Sequence, residues 1–225
     1  MCYSYRTSII SYTLGMLSAI FALYTKQTIL GLLILFYCQM QLSEALIWKG
    51  IDENNTKLNE TGTTFGKYLL ATHNIAIGLG ILIVSKKYSL YSILPLLIGI
   101  IFFLFVILYY YQNNIKVTYP YDRSCNDKNC QNNNNRLEWP YPHEWYVYSF
   151  ILSLIFCIIY VNPLSSKIFL SSIFTITFLI TILFFDSKKV GSVWCFSEAI
   201  LSPILVIINY FLINNLHLSF TGINP

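Results

Sequence analysis

Long apolar blocks separated by polar stretches dominate this chain. A helix needs about 20 apolar residues to cross the hydrocarbon core of a bilayer. Seven segments answer to that description, at 8–24, 27–48, 66–85, 88–111, 145–161, 164–185 and 192–212. The pattern predicts an all-α, seven-transmembrane helix bundle that forms a single integral membrane domain over 1–225. Tyr109-Tyr110-Tyr111 and Trp145 fall at segment ends, as in the aromatic belts of membrane interfaces. Turns between helices 3 and 4, 5 and 6, and 6 and 7 are short, so those neighbours are expected to be antiparallel. Two connections are longer. Residues 49–65 hold the sequons Asn54-Asn55-Thr56 and Asn59-Glu60-Thr61, and the polar loop 112–143 between helices 4 and 5 holds Cys125, Cys130 and the run Asn132 to Asn135. With an odd number of spans, the N-terminus and both long loops share one face of the membrane, here called side A; the opposite face is side B.

Composition agrees with this reading. Of 225 residues, 56% are hydrophobic and 11% charged, and the mean hydropathy is +0.58. Soluble domains carry roughly 25% charge, so a soluble core is excluded. A net charge of +4 is modest, and neither a basic cluster interleaved with aromatics nor a glycine-rich phosphate loop occurs, so no nucleic-acid partner is indicated. The first apolar stretch lacks a clear small-residue cleavage site and is expected to be a true span. Orientation signals conflict. Side A carries most of the Lys and Arg, which the positive-inside rule puts in the cytoplasm. The two sequons and the Cys125/Cys130 pair, a disulfide candidate, favour a side A that is outside or lumenal.

The candidate chemistry lies in the membrane itself, where ionisable groups cost several kcal/mol or more and usually mark a pathway or a site. Glu44, His73 and Glu198 fall four, seven and six residues from the side-A ends of helices 2, 3 and 7, depths that agree within about 5 Å at 1.5 Å per residue. His143 and Glu144 open helix 5 at the same face. In helix 2, Tyr37, Gln41, Glu44 and Trp48 form one stripe; in helix 7, Gly191, Cys195, Glu198, Ser202 and Asn209 form another. His73 and Gly80 share a face in helix 3, with Asn74 and Gly78 beside it. Pro203 removes the partner of the Ala199 carbonyl and is expected to kink helix 7 just beyond Glu198. Two readings stand side by side: polar side chains that only join helices, or a functional cavity. Ser8, Ser11, Gly15, Ser18 and Ala22 make a small-residue packing stripe in helix 1, and Thr175, Thr177 and Thr181 are expected to bond back to their own helix. Zinc accepts Cys, His and carboxylate, which leaves Cys2, His73 and Cys195 as weak metal candidates without a local ligand pair. Helix 7 has no lysine, so a retinal Schiff base of the usual microbial type is unsupported.

Three motifs resemble a family of small multi-pass membrane proteins of giant viruses, algae and some bacteria: Met1-Cys2-Tyr3-Ser4, the helix-2 segment Met40-Gln41-Leu42-Ser43-Glu44-Ala45-Leu46-Ile47-Trp48, and Gly191-Ser192-Val193-Trp194-Cys195-Phe196. The resemblance covers both ends of the chain but not 112–143. It implies that Cys2, Ser4, Gln41, Glu44, Trp48, Trp194 and Cys195 belong together, and it implies no reaction. Seven-helix zinc hydrolases of lipid amides typically have paired histidines in the last helix; here His217 lies beyond helix 7, on side B. The expected site is a side-A cavity of Gln41, Glu44, Trp48, His73, Asn74, Trp194, Cys195 and Glu198. It would bind a proton, a cation or a small polar solute for transport. The alternatives are a membrane-embedded enzyme or lipid-binding protein, and a structural protein of a viral or organelle membrane. Neither a catalytic residue nor a cofactor is assigned by the sequence.

Overall fold

The computed structural model describes residues 4–85, 89–112, 143–184 and 190–221, which form helices and no strand. The helices are α1 (Tyr5–Tyr24), α2 (Thr28–Asp52), α3 (Thr56–Val84), α4 (Leu90–Gln112), α5 (His143–Tyr160), α6 (Leu164–Phe184) and α7 (Val190–Thr221). Cys2, Cys125, Cys130 and most of the loop between α4 and α5 lie outside the described residues, as do the side chains of His143, Glu144 and Trp145.

The expectation of seven spans meets a stricter measure here. Among the described residues, five helices are long and apolar enough to cross a membrane: α1, α2, α4, α6 and the Val193–Asn214 part of α7. A sixth qualifies if the two halves of α3, Thr56–Gly66 and Ala71–Val84, count as one span bent by 48°. Among the described residues, α5 contributes the apolar stretch Ile151–Tyr160, shorter than a full crossing.

The connection expected as a polar loop over 49–65 is mostly helix. Three residues, Glu53 to Asn55, separate α2 from α3. Two local devices make so short a turn. The Asn55 and Asn54 amides reach back to the Gly50 and Ile51 carbonyls (2.8 and 3.4 Å) while Asn54 sits in the left-handed region at φ 52, which is a Schellman ending. Asn55 Oδ1 then accepts from the Leu58 amide at 3.1 Å and caps α3. The α1–α2 turn ends the same way: the Gln27 and Lys26 amides donate to the Ala22 and Leu23 carbonyls (2.8 and 3.1 Å), with Lys26 at φ 63. Helix α3 therefore starts ten residues before its apolar stretch, because capping and not hydrophobicity sets its first turn. One consequence bears on orientation. Asn59, the acceptor of the second sequon, is fully buried in α3 with its backbone against Gly50, so it is not available for glycosylation. One of the two sequon signals for an exterior side A is thereby removed.

Helices α1 to α4 pack in sequence order, and α2, α3, α5, α6 and α7 form a closed circuit in which each touches the next and α7 returns to α2. Glycines set the closest approaches. A Cβ on Gly99 of α4 would lie 2.8 Å from the Asn74 carbonyl carbon, and one on Gly78 of α3 would lie 2.5 Å from Leu96 Cα. On α1, Ser8, Ser11, Gly15, Ser18 and Ala22 are all buried, and Gly15 abuts Cys38 of α2. Small side chains let apolar helices approach in lipid, where no hydrophobic force drives them together.

Both helix-interior prolines have their orphaned carbonyls served by hydroxyls. Pro203 has no N–H for Ala199, and the Ser202 hydroxyl donates to that carbonyl at 2.7 Å. Pro95 likewise frees the Tyr91 carbonyl, which accepts from the Tyr160 hydroxyl of α5 at 2.6 Å. In lipid a bare carbonyl costs several kcal/mol, so such substitutes are what makes a proline tolerable in a span.

Candidate functional site

The inward stripe of α2 is realised as expected from its spacing: Tyr37, Gln41, Glu44 and Trp48 are all buried. Around its middle, three helices meet ring to ring. The Tyr37 ring packs edge-on against His73 of α3 (centroids 4.3 Å, 71°) and against Trp194 of α7 (5.3 Å, 66°), and Phe178 of α6 closes on Trp194 at 5.2 Å. Edge-to-face pairs of this kind contribute about 0.5–1.5 kcal/mol each beyond burial. They hold α3 and α7 at one depth against α2.

The acids flank this aromatic wedge. Glu44 of α2 and Glu198 of α7, on separate helices, both lie within electrostatic range of the buried Cys195. Glu198 Oε1 lies 2.5 Å from the hydroxyl oxygen of Thr177 on α6, and the Trp194 indole donates to the same hydroxyl at 3.2 Å. The Thr177 oxygen also lies 2.9 Å from the Ile173 carbonyl. This arrangement serves both protonation states of Glu198. A hydroxyl has one proton and accepts through its lone pairs. When Glu198 is ionised, Thr177 donates to it; when Glu198 carries a proton, the carboxyl donates to Thr177 and Thr177 donates to Ile173.

Glu44, His73 and Glu198 are 0%, 2% and 3% exposed. These values close the cluster to direct solvent contact, so the described residues form a dry polar core where an open cavity was expected. Two of its atoms, His73 Nε2 and Glu198 Oε2, have no hydrogen-bond partner among the described residues. Buried polar atoms are nearly always paired, so each such exception calls for a role. A surface groove of about 670 Å³ runs along Lys57, Glu60, Thr61, Thr64, Phe65 and Tyr68 on the outer side of α3, and none of these residues belongs to the cluster.

Of the expected site residues, the structure brings Glu44, His73, Trp194, Cys195 and Glu198 together. Gln41, on the same buried stripe of α2 as Glu44, also reaches α1, where its Oε1 accepts from the Ser11 hydroxyl at 2.9 Å. Asn74 joins α3 to α5: it donates to Ser149 at 3.2 Å and accepts from Ser153 at 3.1 Å. Trp48 is buried near the side-A end of α2. Among the described residues no group of three His, Cys, Asp or Glu is placed to hold a metal ion, and Cys195 is a buried free thiol.

Two contributors do not stand out in the sequence. Thr177, expected to bond only within its own helix, does bond to Ile173, but it is also the link between α6 and α7. Its neighbours Phe174, Phe178 and Thr181 form the buried stripe of α6, and that stripe is the signal that could have found it. Tyr37 falls on the expected face, where the sequence gives it no function; it is the ring on which the three helices meet. Compared with protein-family models, curated proteins and solved structures, the chain matches none.

Proposed function

We propose that this multi-pass membrane protein is a transporter or channel that moves protons, or a small cation in exchange with them, through the polar core between α2, α3, α6 and α7. The observation that carries this reading is that Glu44, His73 and Glu198 are all buried inside the helix bundle, with exposures of 0%, 2% and 3%. Ionisable groups inside a span are expensive, and helix joining does not require three of them. The dual hydrogen bonding open to Thr177 supports a carboxyl group that gains and loses a proton without leaving a broken contact. His73, whose Nε2 has no hydrogen-bond partner among the described residues, packs against the Tyr37 ring of the same aromatic wedge. Pro203, five residues beyond Glu198, leaves the backbone hydrogen bond to Ala199 unmade within the continuous helix α7.

The test is flux. Proteoliposomes holding a pH dye and the wild-type chain should acidify or alkalinise under an imposed potential, and Glu198→Gln should cut the rate at least tenfold while melting close to wild type. Glu44→Gln should slow it as well. Equal rates in the wild type and both glutamine variants would remove the acids from any transport role and leave them as helix joints.

A further inference from the structure

A second buried polar contact lies at the other end of the same helix face. Asn209 of α7 donates to Gln27 Oε1 at 2.6 Å, and Gln27 Nε2 donates to the Val206 carbonyl at 3.2 Å and to the Thr25 hydroxyl at 2.9 Å. Gln27 and Asn209 are 4% and 3% exposed, and Asn209 Oδ1 has no hydrogen-bond partner among the described residues. Gln27 belongs to the turn that enters α2 from side B, so this contact ties the α1–α2 turn to α7. Glu198, Ser202 and Asn209 follow one another at helical spacing, and each is buried. From Glu198 to Asn209 the helix rises about 16 Å, roughly half of a hydrocarbon core of about 30 Å. Between Ser202 and Asn209 that face is closed by Leu205 and Val206, 4% and 0% exposed, and this gap also holds Pro203.

We infer that Gln27 and Asn209 form the side-B gate of the path that starts at Glu198; the inference rests on the transport reading above. While the two amides are joined, the part of α7 beyond Pro203 is held against the α1–α2 turn, and Leu205 and Val206 seal the face. When they part, that segment can swing about the proline, where one backbone hydrogen bond is already missing. Asn209 Oδ1 and Gln27 Oε1 are then neutral oxygen acceptors facing the opening, suited to a hydrated proton or a monovalent cation. Asn209 Oδ1, without a hydrogen-bond partner among the described residues, is the acceptor such an opening would put to use.

The experiment reads accessibility, independently of flux. A thiol at Ser202→Cys, just above the seal, is labelled with a membrane-impermeant methanethiosulfonate added from side B to the full chain in vesicles. Rates are compared with the same chain carrying Ser202. With the amide pair intact, labelling should be slow. With Asn209→Leu or Gln27→Met, both close in size to the native side chain, it should rise at least tenfold, and Gln27→Asn should give an intermediate rate. Unchanged labelling in all three variants, each shown to be folded by its melting temperature, would overturn the gate. The transport reading fails separately, by wild-type flux in Glu198→Gln, and the labelling rates report on the gate whichever way that flux falls.

Discussion

Replacing Thr177 by valine removes one oxygen and keeps the shape, so it isolates the link between α6 and α7. The hydroxyl meets Glu198 at 2.5 Å and Trp194 at 3.2 Å. Interhelical hydrogen bonds in bilayers average about 0.6 kcal/mol and reach about 1.7, and stranding a buried polar group costs about 1–3 kcal/mol. Valine breaks both hydrogen bonds at once and leaves Glu198 without its hydroxyl partner, so Thr177→Val should destabilise by about 1–3 kcal/mol. Thr177→Ser, which keeps the oxygen, should stay within about 0.5 kcal/mol of the wild type. Reversible unfolding in mixed micelles gives both numbers. A double-mutant cycle with Glu198→Leu isolates the pair, and its coupling should be at least about 0.5 kcal/mol, the size expected of residues in one network. Strict additivity, or a Thr177→Val variant as stable as the wild type, would mean that Thr177 bonds only within α6 and that the acid has other company.

The remaining predictions each follow from one local feature. Gly99→Leu should destabilise by about 1–3 kcal/mol or more in the same unfolding assay, because its Cβ would sit 2.8 Å from the backbone of Asn74, which cannot move aside as a side chain would. Tyr160→Phe should cost about 1–3 kcal/mol by leaving the Tyr91 carbonyl, which Pro95 deprives of an amide, without its hydroxyl donor. Lys26→Gly should raise stability by about 0.5–1 kcal/mol, since Lys26 holds a left-handed conformation that glycine adopts freely. In a host that glycosylates, Asn59→Gln should leave the mobility of the chain unchanged whichever way side A faces, since Asn59 is buried.

Much of the site can be read from spacing alone. Four polar and aromatic residues of α2 at intervals of four, three and four must share a face, and lipid gives that face nowhere to point but inward. The same reasoning turns Glu198 inward, and the covalent chemistry of proline predicts the orphaned Ala199 carbonyl that Ser202 serves. Tertiary partners are harder to read. The periodicity of α6 sets Thr177 beside the stripe of Phe174, Phe178 and Thr181 but does not say that its partner there is Glu198, and nothing local to Gln41 or Asn74 says that they reach α1 and α5. The start of α3 escapes the sequence for a different reason. A hydropathy window sees where a chain is apolar, whereas Asn54 and Asn55 end one helix and begin the next through backbone conformation and a side-chain cap. Those same residues resemble a glycosylated loop, and the helix they start is what buries Asn59.

The claim on which the account turns is that Glu198 exchanges a proton with water although its carboxyl group is buried. Infrared difference spectroscopy of the reconstituted chain, stepped in pH and transferred to heavy water, tests it directly. The account predicts a carboxyl stretching band that shifts in heavy water, varies with pH and disappears in Glu198→Gln. A spectrum without that band, or a band that neither exchanges nor responds to pH, would contradict it.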